Sequence, residues 1–384
     1  MKQAIVIYGA TALGSPEFSS DLLWRTGGYS VSDPVFYCEI DGKKILLLSS
    51  LEIERGEWEA DVDEVVSIEK FSKHAKEKNL PVSVLFLKDR GIEEIIIPNL
   101  LRFSLGRILS EHFKIITKEA PFFSERSIKK EKEIKEIKKC QKALEDALWY
   151  GLKFLKECRV NKGLLYHPNN PKTAVVSGTV RKIIDNALYF HGCLGVGTIV
   201  ACGAEAVDPH SIGYGKLKAR EPIVIDIFPR SLETLYFADQ TRTVFKGKPS
   251  SKMIKMYDTV LQGQKKAIGE IKEGVLGKNI EQNVRDFFDR SGYPTAFDKR
   301  PVSGFIHSLG HGVGIDIHEA PSFGSNGQIF RTGNVITIEP GLYYPKKNDT
   351  IPRGGIRIED MVLVTKKGCQ NFSSFPKELD DMII

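Results

Sequence analysis

The 384-residue chain has six cysteines and no CxxC pair among them. Cys38, Cys140, Cys158, Cys193, Cys202 and Cys369 are scattered, which argues against a disulfide framework or a thiolate zinc site. The expectation is reduced thiols in a cytoplasm. Also missing is any run near the roughly eighteen apolar residues that span a bilayer, so no membrane association is expected. The opening MKQAIVIYGATALG carries one lysine and an apolar stretch, as a secretion leader does. Tyr8 and Gly9 break it early, and a first strand from Ala4 to Tyr8 fits better. A formal net charge of +6 is small for this length and gives no case for nucleic acid. The densest basic run, SIKKEKEIKEIKK over 127–139, is interleaved with Glu131, Glu133 and Glu136 and reads as a solvated helix face. There is no internal repeat and no low-complexity tract.

The length calls for two domains. In the first third, QAIVIYG, PVFYCEI, KKILLLSS and VSVLFLK read as short strands, while HAKEKN and IPNLLRFSLGRILSEHF read as helical. These compose a small α/β domain over residues 1–123, ending where Pro121 and Ser124 break the pattern. Ser124 then caps a predicted long helix through residue 157, with an apolar stripe of Ile128, Ile134, Ile137, Leu144, Leu148, Leu152 and Leu155. Further helices are expected in 172–192, 250–272 and 279–292. The overall class is α+β, with a larger domain over 124–384.

Four strand-like segments of that larger domain carry acids. Asp226 follows IVI, Asp239 lies in FADQTRT, Glu339 follows ITI, and Glu359 sits in IRIEDM. Carboxylates are seldom buried unless paired, hydrogen-bonded or bound to metal. One such residue would face water at a strand end; four repeating the pattern point to a metal site. Two cations about 3.5–4 Å apart can share bridging carboxylates. Four carboxylates and one imidazole suit Mn, Co, Fe or Zn, and suit copper or a structural zinc poorly. That donor set needs one histidine. The stretch GFIHSLGHGVGIDIHEAPSFG offers three, His307, His311 and His318. His307 and His311 have the spacing of a zinc-binding helix, but Gly310, Gly312 and Gly314 disfavour a helix there.

The motifs IDIFPR…FADQTRT, HSLGHGVGIDIHE, ITIEPGLYY and GGIRIEDMVLVT, in this order, closely resemble the pita-bread metallopeptidase family, over about residues 126–365. That family includes methionine aminopeptidase, prolidase, X-Pro aminopeptidase and creatinase. The segment DLLWRTGGY…DGKKILLLSS resembles the accessory N-terminal domain of the creatinase/prolidase type. The resemblance implies a C-terminal pita-bread catalytic domain holding two divalent ions, Mn first and Co, Zn or Fe as alternatives. Its ligands would be Asp226, Asp239, His311, Glu339 and Glu359, with Asp226 chelating one ion and Asp239 and Glu359 bridging both. His311 and Glu339 would bind the other. Asp226 and Asp239 stand two residues further apart than in the family pattern, and a longer hairpin loop in PRSLETLY is expected to absorb them.

The resemblance further implies that His210 and His318 hydrogen-bond the substrate and the tetrahedral intermediate. Arg357 would buttress a site carboxylate or meet the substrate, and His307 would line a proline pocket. Alone, His210 and His307 read as loop histidines. The implied activity is hydrolysis of the bond before proline, in an Xaa-Pro aminopeptidase or Xaa-Pro dipeptidase, by a hydroxide bridging the metals, with Glu339 as proton shuttle. Proline-containing peptides are the implied substrates, and a cytoplasmic homodimer the implied form. A methionine aminopeptidase-like enzyme shares all five ligands, and a catalytically silent partner-binding relative is the alternative of another class. Arg357 and the N-terminal domain favour the X-Pro branch.

Overall fold

A computed structural model describes residues 2–325 and 327–384. The chain divides into two compact units, up to Arg126 and from Ser127 to Ile384.

The first unit is built on a six-stranded sheet, in spatial order Glu64–Ser67, Lys43–Leu48, Val35–Ile40, Gln3–Gly9, Glu94–Pro98 and Lys114–Lys118. Val35–Ile40 runs antiparallel to both of its neighbours, and the remaining pairs are parallel. Asp41 and Gly42, both at positive φ, make the tight turn between Ile40 and Lys43, as a two-residue hairpin requires. Side chains alternate between two cores. Val6, Cys38, Ile45 and Leu47 enter one, while Ile7, Tyr37, Leu46 and Leu48 enter the other, which is the period of two expected of a sheet covered on both faces.

One expectation fails in this unit. VSVLFLK is not a strand but the helix Val82–Asp89, entered from Pro81 and burying Val84, Phe86 and Leu87. The strand it was expected to supply comes from Glu94–Pro98 instead. Consequently the next helix begins only at Phe103, not at Ile97.

The second unit places helices Glu131–Glu157, Ser177–Phe190, Ser251–Glu270 and Gly277–Arg290 around short strands, with one large core and a small separate cluster of Ile199, Ala201, Ala206 and Val224. The long helix starts later than the Ser124 cap implies. Ser124–Ser127 is a single 3-10 turn, and Glu133 accepts from the Lys130 backbone N–H at 2.8 Å to close the helix start. Ile137, Leu144, Leu148, Leu152 and Leu155 of the expected stripe are buried; Ile128 is not.

Among its sheets are a three-stranded antiparallel one (Ile199–Cys202, Ile223–Ile227, Gln240–Val244), a five-stranded one and a two-stranded ribbon, beside a three-stranded sheet of Arg159–Asn161, Leu164–His167 and Asn170–Ala174. The five-stranded sheet contains His311–Gly312, Val335–Ile338 and Asp360–Val364. The ribbon pairs Gly341–Tyr344 with Gly354–Arg357. Two long strands are therefore each broken once, at Glu339 and at Glu359. The pieces are stitched together across the break. The Glu339 N–H donates to Leu309 O at 2.9 Å, and the Glu359 N–H donates to Thr241 O at 3.1 Å. Between Asp226 and Asp239 the chain turns through a second small hairpin, with Pro229–Ser231 paired to Cys193–Gly195 and Leu235 at φ 61°.

Candidate metal centre

Of the four acids, only Asp226 lies within a strand. Asp239 immediately precedes Gln240–Val244, and Glu339 and Glu359 occupy the two strand breaks. A break frees the side chain from strict alternation, so acids from three sheets turn towards one point. Asp226 is 9% exposed, Asp239 5% and Glu359 2%. Glu339 keeps 19% of its side-chain surface.

His311 joins them from a stretch that only glycine permits. A Cβ on Gly310 would lie 2.1 Å from Thr337 O, and one on Gly312 2.5 Å from Ala320 O. The close approach lays His311–Gly312 between Glu319–Ser322 and Val335–Ile338, an extended path rather than a helix. Gly312 O faces His311 Nδ1 at 3.1 Å. A carbonyl only accepts, so Nδ1 carries the proton and Nε2 presents its lone pair. Nε2 stands 3.5 Å from both Asp239 Oδ2 and Glu339 Oε1. Burial, and then the nearby His318, push this imidazole down to about 3, so it is neutral.

Donor atoms of Asp239, His311 and Glu359 all lie within 4.8 Å of one another. Without a cation the cluster is electrostatically costly. Burial first, and then the charges of Glu359, Asp226 and Glu339, drive the Asp239 carboxyl far above its usual range. Burial and then Glu339 and Asp226 do the same to Glu359. Glu339 is pushed up to about 8, chiefly by burial. Asp226 Oδ1 is buried with no hydrogen-bond partner, an arrangement that costs about 1–3 kcal/mol or more for a charged group. Neutral imidazole nitrogen, crowded carboxylates and an orphaned oxygen all fit divalent cations.

The other oxygen of Asp226 is held by Arg357, Nη2 to Oδ2 at 2.6 Å. Arg357 is buried, and all three of its guanidinium nitrogens are engaged. Its Nε donates to Thr241 Oγ1 at 3.1 Å, and its Nη1 to Tyr343 Oη at 3.0 Å and to Pro209 O at 3.2 Å. Burial alone would make this guanidinium easier to deprotonate, but Tyr343, Asp226 and Glu339 outweigh that and hold its charge. Thr241 passes the contact on, donating to Glu359 Oε2 at 2.9 Å. Thus Arg357 meets the carboxylate cluster directly at Asp226 and through one hydroxyl at Glu359.

His307 is brought to the same network. Its Nδ1 faces Ser308 O at 2.8 Å and its Nε2 faces Tyr343 Oη at 2.9 Å. The carbonyl fixes the proton on Nδ1, so the Tyr343 hydroxyl donates to Nε2 while accepting from Arg357. Burial and the Arg357 charge lower His307 to about 3. His318 stacks edge-on against His311, ring centres 4.1 Å apart, and burial keeps it below its ordinary range. His210 is exposed, on a turn where Asp208 Oδ1 accepts its backbone N–H at 2.9 Å, and it lies near enough to interact electrostatically with both His318 and His307.

Sequence reasoning did not single out Tyr343 or Thr241. Tyr343 stands inside the quoted ITIEPGLYY, and Thr241 inside FADQTRT, yet neither residue type announces a role there. Their partners lie 14 to 118 positions away.

Residues 135–366 match the family described as Metallopeptidase family M24. A Xaa-Pro dipeptidase of Pyrococcus horikoshii is 37% identical over 184 residues, 47% of this chain and 48% of that one. The match thus spans about half the length of such curated relatives. The chain is also similar to the solved prolidase from Pyrococcus furiosus, with a TM-score of 0.76 at 25% identity over 97% of each chain. The X-Pro aminopeptidase structure from Thermotoga maritima gives a TM-score of 0.75 at 24% identity, over 98% of this chain and 97% of that one. The architecture is the α+β pita-bread arrangement.

Proposed function

Because the chain belongs to metallopeptidase family M24, we propose that it hydrolyses the peptide bond preceding proline, as a Xaa-Pro dipeptidase or aminopeptidase. The observation that carries this reading is the meeting of Asp239, His311 and Glu359 donors within 4.8 Å, beside Asp226 and Glu339. In this reading those five residues hold two divalent ions, Mn in first place and Co, Zn or Fe as alternatives. When bound, the ions supply a water acidified towards neutral pH and polarise the scissile carbonyl.

The chain's own groups do the rest. Arg357 pins Asp226 through one oxygen and leaves the other free to ligate. His318 and His210 hydrogen-bond the carbonyl oxygen as negative charge grows on it. Glu339 takes a proton from the attacking water and delivers it to the prolyl nitrogen, which cannot leave as an anion. His307, locked by Tyr343, forms a wall for the pyrrolidine ring. The smaller unit serves as the accessory domain, and the working form is a cytoplasmic homodimer.

The experiment is a length series of Ala-Pro, Ala-Pro-Ala and longer peptides, with Met-Ala as control, assayed with Mn, Co or Zn after chelator treatment. Cleavage before proline, lost on chelation and restored by one of the metals, is the expected result. Preferential cleavage of Met-Ala would transfer the chain to the methionine aminopeptidase class. Metal binding without any cleavage would mark a silent relative.

A further inference from the structure

Glu339 and Glu359 flank the last rung of one ladder. Val335–Ile338 pairs with Asp360–Val364, and Ile338 stands directly opposite Asp360. Glu339 follows Ile338 and Glu359 precedes Asp360, so whatever clamps that rung sets the distance between the two glutamates. A set of buried polar groups does clamp it. Arg242, fully buried, donates from Nη1 to Glu359 O at 2.5 Å and to Thr241 O at 2.9 Å. Its Nη2 meets Asp360 Oδ1 at 2.9 Å and Phe375 O at 2.7 Å, and its Nε meets Pro376 O at 2.8 Å. Asp360 Oδ2 accepts from Asn371 at 2.8 Å and pairs with Lys377. Lys377 Nζ also donates to Gln264 Oε1 at 2.8 Å, and Gln264 Nε2 donates to Ile338 O at 3.3 Å. One lysine therefore reaches both sides of the rung, Asp360 directly and Ile338 through Gln264.

The segment that supplies these contacts is itself held. Glu145 accepts from the backbone N–H groups of Ser374 and Phe375 and from the Ser374 hydroxyl, at 2.5 to 3.0 Å. Tyr257 Oη donates to Lys377 O at 2.9 Å. Arg242 and Lys377 both face Asp360, and Glu145 holds the segment behind them. Nothing in the proposed reaction uses these residues, and Lys377 falls outside the matched family region.

We propose that Arg242, Asp360, Lys377 and Gln264 are positioning residues that set the separation of Glu339 and Glu359, so that the segment Phe375–Lys377 tunes how tightly the site binds divalent cations. This rests on the metal reading above. Residues behind metal ligands typically govern affinity by about 10- to 100-fold.

The test is titration of Mn²⁺ into metal-stripped full-length protein by calorimetry, with the Tm of the same stripped samples. Lys377→Met removes the bridge and a charge, and leaves Asp360 paired with Arg242. Gln264→Leu removes both bonds that carry the link from Lys377 to Ile338 and changes no charge, so it covers the case in which the lysine variant fails to fold. Lys265→Met, which deletes the exposed pair with Glu378, is the control. A Kd raised about tenfold or more by Lys377→Met, and raised by Gln264→Leu, with wild-type affinity in Lys265→Met, is expected. Wild-type Kd in folded Gln264→Leu and Lys377→Met, whatever their Tm, would overturn the brace. No binding by the wild-type protein would overturn the metal reading, and the brace with it.

Discussion

At the scale of single residues, each site group is defined by what holds its other end. His311 gives its Nδ1 proton to Gly312 O, Asp226 gives one oxygen to Arg357, and His307 receives the Tyr343 hydroxyl. Two predictions belong here. Glu339→Gln keeps the shape of the carboxylate but cannot accept and return a proton. A loss of kcat on Ala-Pro of about 10²-fold or more is expected, with the fold retained by circular dichroism; near wild-type turnover in a metal-replete sample would remove Glu339 from the shuttle role. Tyr343→Phe deletes one hydroxyl and strands two buried partners, His307 Nε2 and an Arg357 N–H. A stability loss of about 1–3 kcal/mol is expected from urea unfolding, together with a higher KM for proline substrates. The acids were legible because carboxylates are rare among apolar strand neighbours, whereas roles for His210, His307 and His318 came only through the family resemblance. Tyr343 and Thr241 stayed illegible because a tyrosine or threonine in a strand is ordinary until its distant partner is known.

At the scale of elements, the strands bearing ligands were legible and their breaks were not. ITIEPGLYY and GGIRIEDMVLVT read as single strands, yet each stops at its glutamate. Only the cross-sheet bonds to Leu309 and Thr241 reveal why. VSVLFLK misled through a different conflict. Its β-branched and apolar residues suit a buried strand, but Pro81 ahead of it and Arg90-Gly91 behind it delimit a two-turn helix that one sheet face covers. The glycines near His311 give a contrast within one protein. Gly310→Ala would drive a methyl into Thr337 O, and a loss of more than about 1–3 kcal/mol is expected. Gly269→Ala, at an exposed helix position with open space, should instead gain up to about 1 kcal/mol. Denaturant midpoints of the two variants decide the point; equal shifts would refute the close-packing account.

At the scale of the whole molecule, the acid cluster links folding, pH and metal. In the metal-free protein, burial raises the Glu339 carboxyl from 4.5 to about 8, and raises Asp239 and Glu359 in the same direction. Between those two values the folded state keeps protons that the unfolded chain releases. Its stability therefore falls as pH rises through that window. The expected result is a Tm of chelated protein that drops between pH 5 and pH 8, and a rise on adding metal that is larger at pH 8 than at pH 5. A chelated Tm that climbs over the same interval would contradict the burial of uncompensated carboxyls.

In the proposed metal reading the ligands run from Asp226 to Glu359, and the residues that clamp the last rung continue to Lys377. A chain still emerging from the ribosome owns an incomplete set until nearly all of these residues are out, because the acids and His311 come from separate stretches of the chain and pairings between distant stretches form late. A half-made chain offers a passing ion scattered carboxylates and no cage. On that reading loading follows synthesis, and a tightly held ion marks a finished fold.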